Sequence, residues 1–405
     1  MQKKHSLPSR PPAPRPMPTQ WAVFDLSAQC YIVLQQHAER GSSETSEERC
    51  GQGYAHGGMD SQLWLCCLLI FTLHVASTES CHPGCRCEVE SFGLFDSFSL
   101  TKVDCSRVGP HITPIPIPLD TSYLDLSSNH METLTDSMLT GPGYTTLVSL
   151  DLSNNKLTRV HSKTFSKLRY LESLDLSSNC LEVLSDGCFS GLPLTEVDLS
   201  NNRLQEFRLD IFTSKGHGKP IHLDLSNNVL TAVSRNPHSS SPNIQSLSLA
   251  GNRLTAVPLL QSVPVRSLNL DGNPIPHIQE NAFVGMTELT HLSLSSLPAL
   301  TSIQPNSFKG LQNLQVLDLS NCPKLKDLKP EVFSGLLSLQ ELNLSNSGVT
   351  ALPSKLLNYL PSIRSITLGP NLHCWKSRKQ GQFHPHTGRV KSGDTLTCDP
   401  AATLL

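Results

Sequence analysis

The chain has almost no net charge and none of the short signatures that announce catalysis. Its 32 Lys and Arg nearly balance 34 Asp and Glu, giving a formal charge of -2. That excludes the global positive field of a nucleic-acid-binding protein, so charge has to be read locally. No H-E-x-x-H helix, G-x-S-x-G elbow, P-loop or dinucleotide fingerprint occurs, so no catalytic residue, cofactor or metal site is expected. Long apolar runs are also missing. The stretch from Leu63 to Val75 is shorter than the ~20 residues that cross a bilayer, and no spanning segment follows Cys398.

The amino-terminal part divides in two. Residues 1–58 are polar and Pro-rich, as in Leu7-Pro8-Ser9-Arg10-Pro11-Pro12, and carry no sustained apolar period. That is the composition of a disordered extension. Met59 stands just before the apolar run, which ends in the small residues Ala76 and Ser77. Residues 59–77 therefore read as a signal peptide cleaved after Ser77, with translation starting at Met59 and residues 1–58 an alternative extension. The competing reading is a signal anchor behind a cytoplasmic tail. The shortness of the run favours secretion, although a positive n-region is missing.

From residue 119 to 371 one unit recurs. Leu171-Glu172-Ser173-Leu174-Asp175-Leu176-Ser177-Ser178-Asn179 is a copy of the leucine-rich repeat signature. Its Asn slot returns at Asn129, Asn155, Asn179, Asn202, Asn228, Asn252, Asn273, Leu297, Cys322, Ser347 and Asn371, at intervals of 21 to 26 residues. About eleven turns of that period predict a solenoid, a curved right-handed β/α horseshoe with a parallel sheet on its concave face. Paired leucines such as Leu150 and Leu152 alternate with polar residues and face inward. No turn buries them alone, so neighbours stack and both ends need caps. The Asn is a structural residue that satisfies backbone groups where the chain leaves the strand. A recurring Phe, at Phe165, Phe189, Phe212, Phe283, Phe308 and Phe333, fills the convex side as core.

Thirteen cysteines are present; Cys30, Cys50, Cys66 and Cys67 precede the expected mature chain. Cys81, Cys85, Cys87 and Cys105 cluster in an amino-terminal cap over residues 78–118, and Cys374 and Cys398 bracket a carboxy-terminal cap and tail over residues 372–405. Cysteines at both ends of a repeat array read as disulfide-bonded caps in an oxidising compartment. A zinc site is the alternative for the first cluster, but its spacing suits tetrahedral thiolate ligation poorly. Cys180 and Cys188 share one repeat, which leaves an extra bridge between them open. Cys322 occupies an Asn slot and is expected to be buried, free and unreactive.

The solenoid with flanking cysteines resembles the small leucine-rich proteoglycans. The strings from Glu90 to Leu100, Gly109-Pro110-His111-Ile112, Pro114 to Asp120 and Gly141 to Leu147 narrow the resemblance to one signalling branch of that family, over Cys81 to Cys398. The resemblance implies a secreted, non-enzymatic modulator of morphogen signalling. Its implied partners are bone morphogenetic proteins (BMP), transforming growth factor-beta (TGF-beta), the antagonist chordin, Frizzled receptors in competition with Wnt, and the Notch ligand Delta. It also implies pairing of Cys81 with Cys87 and of Cys85 with Cys105. Cys180, Cys188 and Cys322 lie outside the family pattern.

Between the paired leucines, the outward position reads Asp125, Asp151, Asp175, Asp198, Asp224, Ser248, Asn269, Ser293, Asp318, Asn343 and Thr367. Strands ~4.8 Å apart turn the five leading acids into a column. One reading is a solvated ladder common to such repeats. The other is an electrostatic strip, with Asp151, Asp175, Asp198 and Asp224 as partner-binding residues for a basic growth factor or receptor face. Asn343-Leu344-Ser345 is the one N-x-S/T sequon, so Asn343 is the candidate glycosylation site. Lys376, Arg378, Lys379, Arg389 and Lys391, with His384 and His386, make the last loop basic, which suits a glycosaminoglycan or a plain solvated loop. The two histidines alone are weak evidence for a metal. Ser392-Gly393 is too thin a signal for an attached glycosaminoglycan chain. The readings left standing are a signalling modulator, a collagen-binding matrix organiser of the same superfamily, and a membrane-tethered adhesion receptor, which would need a spanning segment.

Overall fold

The computed structural model describes residues 81–92, 98–110, 115–212, 218–236, 238–353, 355–369, 372–378 and 394–400. The expected extension and signal peptide, and most of the basic carboxy-terminal loop, lie outside these residues. Cys81–Leu405 forms one compact unit.

Each Leu-x-Leu segment makes a short strand with one buried face. The strands join in a single 15-stranded sheet. Sequential repeats pair in parallel and in register, so Leu124, Leu150, Leu174, Val197 and Leu223 stack beneath the sheet. All are almost completely buried. At its two ends the sheet turns antiparallel. Arg86–Phe92 pairs with Phe98–Asp104, and Ser365–Gly369, Leu372–Arg378 and Asp394–Pro400 form the other end. The caps therefore continue the repeat sheet and cover the end leucines with strand, which the cysteine spacing alone does not reveal.

The buried Asn carries the turn out of each strand. Asn179 donates through Nδ2 to the carbonyls of Leu152, Leu176 and Ser177 at 3.0 to 3.1 Å, while its Oδ1 accepts the Leu157 N–H at 3.0 Å. One amide thus satisfies backbone groups of two turns, groups that would cost ~1–3 kcal/mol each if left buried and unpaired. The first ladder residue extends this to the cap: Asn129 Oδ1 accepts the N–H groups of Val108 and Gly109, and its Nδ2 donates to the Cys105 carbonyl. Just before the Asn slot the backbone is left-handed at Ser128, Asn154, Ser178, Asn201 and Asn227, a conformation that small polar residues and glycine tolerate best.

Further along, the ladder changes chemistry. Leu297 fills the slot as plain core and is fully buried. Cys322 is buried and free, its Sγ donating to the carbonyls of Leu294 and Ser320. Ser347 donates to the Leu344 carbonyl at 2.7 Å. Asn371 lies outside the described residues.

Among the described residues the convex side is built from short strands and 3-10 turns, with one helical turn at Leu356–Tyr359. Its phenylalanines stack: Phe189 lies 6.1 Å from Phe165 and 5.4 Å from Phe212, and Phe283 lies 5.6 Å from Phe308. Two turns between Phe212 and Phe283 have no Phe. There Arg235 bridges the carbonyls of Gln261 and Ser239, each at 3.0 Å, and Asp210 accepts the Asn236 N–H and the Ser239 hydroxyl.

Disulfides join Cys81 to Cys87, Cys85 to Cys105, and Cys374 to Cys398. Cys180 and Cys188 are not bridged to each other; burial pushes the Cys188 thiol up to about 12. The Pro-rich entry to the repeats packs under Tyr144, whose hydroxyl donates to the Ile115 carbonyl at 3.1 Å. Gly143 is fixed by this approach, since a Cβ there would stand 2.5 Å from the Ile117 carbonyl oxygen. Among the described residues no helix is long and apolar enough to cross a membrane.

Candidate functional site

The open face of the sheet gathers the outward positions of successive repeats into straight columns. Asp125, Asp151, Asp175, Asp198 and Asp224 are register partners across five adjacent strands. Alternation alone expects these side chains to stand free in solvent, but they are half-buried. Each folds back, its Oδ1 accepting the N–H of the Ser two residues on at 2.7 to 2.8 Å. The acid thereby closes the strand's exit turn, a local role that the Leu-Asp-Leu-Ser spacing did not disclose.

This hydrogen bond does not require a charge. At the same column position Asn269 Oδ1 accepts the Asp271 N–H at 2.9 Å, and Asn343 Oδ1 accepts the Ser345 N–H at 3.1 Å. The negative charge of the five aspartates is therefore surplus to folding. No cation lies within salt-bridge reach of any of the five among the described residues. Burial, joined by the charges of Asp151 and Asp198, holds the Asp175 carboxyl above its ordinary value. The column thus carries an electrostatic cost at its centre.

Beside it runs a second outward column, in which Glu196 pairs with His222. Asp175, Glu196, Asp198, His222 and Asp224 line a shallow depression of about 360 Å³ on this face. The other half of the face is built differently. Asp271 spends its charge internally, its Oδ1 accepting the Ser293 hydroxyl at 2.6 Å and the Ser295 N–H at 2.7 Å. Asp318 accepts the Ser320 N–H through Oδ1 and the Asn343 Nδ2 through Oδ2.

That last contact places the sequon. Asn343 sits on the open face in the strand Glu341–Asn343, with its Nδ2 held 3.1 Å from Asp318 and its Oδ1 2.8 Å from the Ser345 hydroxyl. Of the basic carboxy-terminal residues, Lys376 donates through Nζ to the Pro361 carbonyl at 2.7 Å. Lys379, Arg389, Lys391, His384 and His386 lie outside the described residues. Among the described residues no group of His, Cys, Asp or Glu is arranged to hold a metal ion.

Comparison with known proteins agrees with this architecture. A leucine-rich repeat family model matches residues 145–204, 193–254 and 264–323, and a second matches residues 313–336. Tsukushi from Gallus gallus is 60% identical over 318 residues, covering 78% of this chain and 86% of the relative. Tsukushi from Danio rerio is 60% identical over 347 residues, covering 86% of this chain and all of the relative. Tsukushi from Homo sapiens is 53% identical over 328 residues, covering 80% and 93%. Among solved structures, the Drosophila Toll–Spatzle complex contains a chain that superposes with a TM-score of 0.53 at 22% identity, over 61% of this chain and 33% of that one. That likeness shows the fold alone.

Proposed function

The chain belongs to the Tsukushi family of leucine-rich repeat proteins, and we propose that it is a secreted modulator of morphogen signalling whose open sheet face binds a basic surface on a growth factor, antagonist or receptor ectodomain. Proteins of this type are binding scaffolds without catalytic machinery. The observation that carries the reading is the column of five aspartates, which no cation among the described residues pairs with and which the turns it closes do not require as charge. Such a strip attracts and orients a basic partner before contact, raising the association rate more than the final affinity. Inhibition then follows from occupancy, because a ligand face held against the sheet is unavailable to a productive receptor complex.

The partners in view are BMP, chordin, TGF-beta, Frizzled and Delta. Secretion is supported by disulfide-bonded caps, which persist in an oxidising compartment, together with the short apolar run before Ala76. Asn343 is the proposed glycan site. It falls in the half of the sheet away from the aspartates, so a glycan there leaves the acidic half open. Treatment of secreted protein with a glycosidase should give a mass shift that Asn343→Gln abolishes.

The alternative is a collagen-binding matrix organiser using the same face. Side-by-side kinetics of the secreted chain against a BMP and against fibrillar collagen separate the two. The signalling reading expects fast, salt-dependent association with the growth factor. Tight collagen binding with no growth-factor binding would overturn it.

A further inference from the structure

A second charged surface lies away from the sheet, on the turn that follows Asn155. Residues 156–169 carry Lys156, Arg159, Lys163, Lys167 and Arg169 and no acid. All five are exposed, whereas the intervening Val160, Phe165 and Leu168 are fully buried. The core residues thus force the cations outward, and the turn becomes a positive band around the solenoid.

The band is least compensated at Lys163, Lys167 and Arg169. The equivalent stretches of the neighbouring turns, 137–147 and 187–194, contain no charged residue. They contain the glycines Gly141, Gly143, Gly187 and Gly191, and the space beside Gly191 is open. One acid stands at the edge of each stretch: Asp186 is engaged by Arg208 at 3.4 Å, and Asp136 is exposed, so the three cations outnumber the one acid left uncommitted beside them. No ion pair involves Lys163, Lys167 or Arg169 among the described residues. The backbone beneath them is ordered: the Ser166 hydroxyl and N–H donate to the Lys163 carbonyl, and the Arg169 N–H donates to the Lys167 carbonyl. Three cations therefore project from a fixed turn between two stretches that carry no charge.

We propose that Lys163, Lys167 and Arg169 form a binding site for a sulfated glycosaminoglycan, separate from the sheet face and independent of the signalling reading above. A regularly charged polyanion needs fixed cations in excess over nearby acids, and gains its free energy by releasing counterions from its sulfates. Nucleic acid is the less fitting polyanion for a disulfide-capped fold. Because the site lies off the sheet, a matrix-held molecule would keep its aspartates free for a second partner.

The test is heparin affinity of the secreted full-length protein across a salt series. The triple variant Lys163→Gln, Lys167→Gln, Arg169→Gln is expected to bind at least roughly tenfold more weakly near physiological salt, with a shallower log–log salt slope. Its unfolding midpoint should be unchanged. The Lys163→Arg, Lys167→Arg pair should retain binding, which guards against a folding artefact. The proposal is overturned if the triple variant binds as the wild type does, or if desulfated heparin or DNA binds as tightly as heparin. It also fails if neutralising Lys376, Arg378, Lys379, Arg389 and Lys391 alone removes binding.

Discussion

The two halves of the sheet share a backbone and differ in what their side chains do with it. In the first half every exit turn is closed by an Asp and every slot beneath it is filled by Asn. In the second half Asn269 and Asn343 close turns without charge, Asp271 and Asp318 are tied to neighbours, and Leu297, Cys322 and Ser347 replace the buried amide. The strands remain in register through both halves. The comparison separates the necessary from the optional: backbone groups at each turn must be satisfied, but a column of negative charge need not be present. A costly feature that folding does not require points to binding.

The largest effect is expected where convex packing is densest. Phe189 stacks between Phe165 and Phe212, so Phe189→Ala should destabilise by about 4 kcal/mol, the usual range for a buried phenylalanine. Denaturant unfolding of the secreted chain measures it. An effect under ~1 kcal/mol would mean that the first half does not depend on its aromatic stack.

The ladder gives the next contrast. Asn179→Ala orphans the Leu157 N–H and takes one of two donors from each of the Leu152, Leu176 and Ser177 carbonyls, which together should cost about 3 kcal/mol. Ser347→Ala removes the hydroxyl's bond to the Leu344 carbonyl and its weaker bond from the Val349 N–H, in a less buried slot, and should cost ~1 kcal/mol. Equal losses in the same unfolding assay would contradict the division between the halves.

Asp175 gives the smallest stability effect and a signed pH dependence. Its carboxyl is held above its ordinary value by burial and by its acidic neighbours. The native state therefore holds the proton more tightly than the unfolded chain. The cost of ionising it is absent below the ordinary carboxylate range and fully present above the folded pKa. Asp175→Asn should stabilise near neutral pH by less than ~1 kcal/mol, with the gain fading as the pH falls toward the ordinary value of 3.8. Thermal unfolding of both proteins across pH reads the difference, and a gain that grows on acidification would reverse the sign.

Much of this was legible in the sequence because a repeat displays the same physical demand about eleven times. The inward Leu pairs, the Asn slots and the Phe column follow from period and spacing, and Cys322 stands where the slot places it. The continuation of the sheet into both caps was not legible, because strand pairing at the ends depends on contacts that no repeat displays. The turn-closing role of the aspartates was also hidden. A bond from Asp175 to the Ser177 N–H needs only a two-residue reach, and Leu-Asp-Leu-Ser reads equally well as a solvated ladder. The later residues Asn269 and Asn343 held the clue, since an amide in an acid's place signals that the oxygen matters to the fold and the charge does not.

The central claim is that this surplus charge serves binding, and one measurement tests it most directly. Asp151, Asp175, Asp198 and Asp224 are replaced together by Asn, which preserves the acceptor oxygen at each turn. Association rates with a growth-factor partner are then followed over a salt series. The account predicts an intact fold, slower association at low salt and a flattened salt dependence. Unchanged rates and slopes for a partner that binds the wild type would contradict it and return the aspartates to a purely structural role.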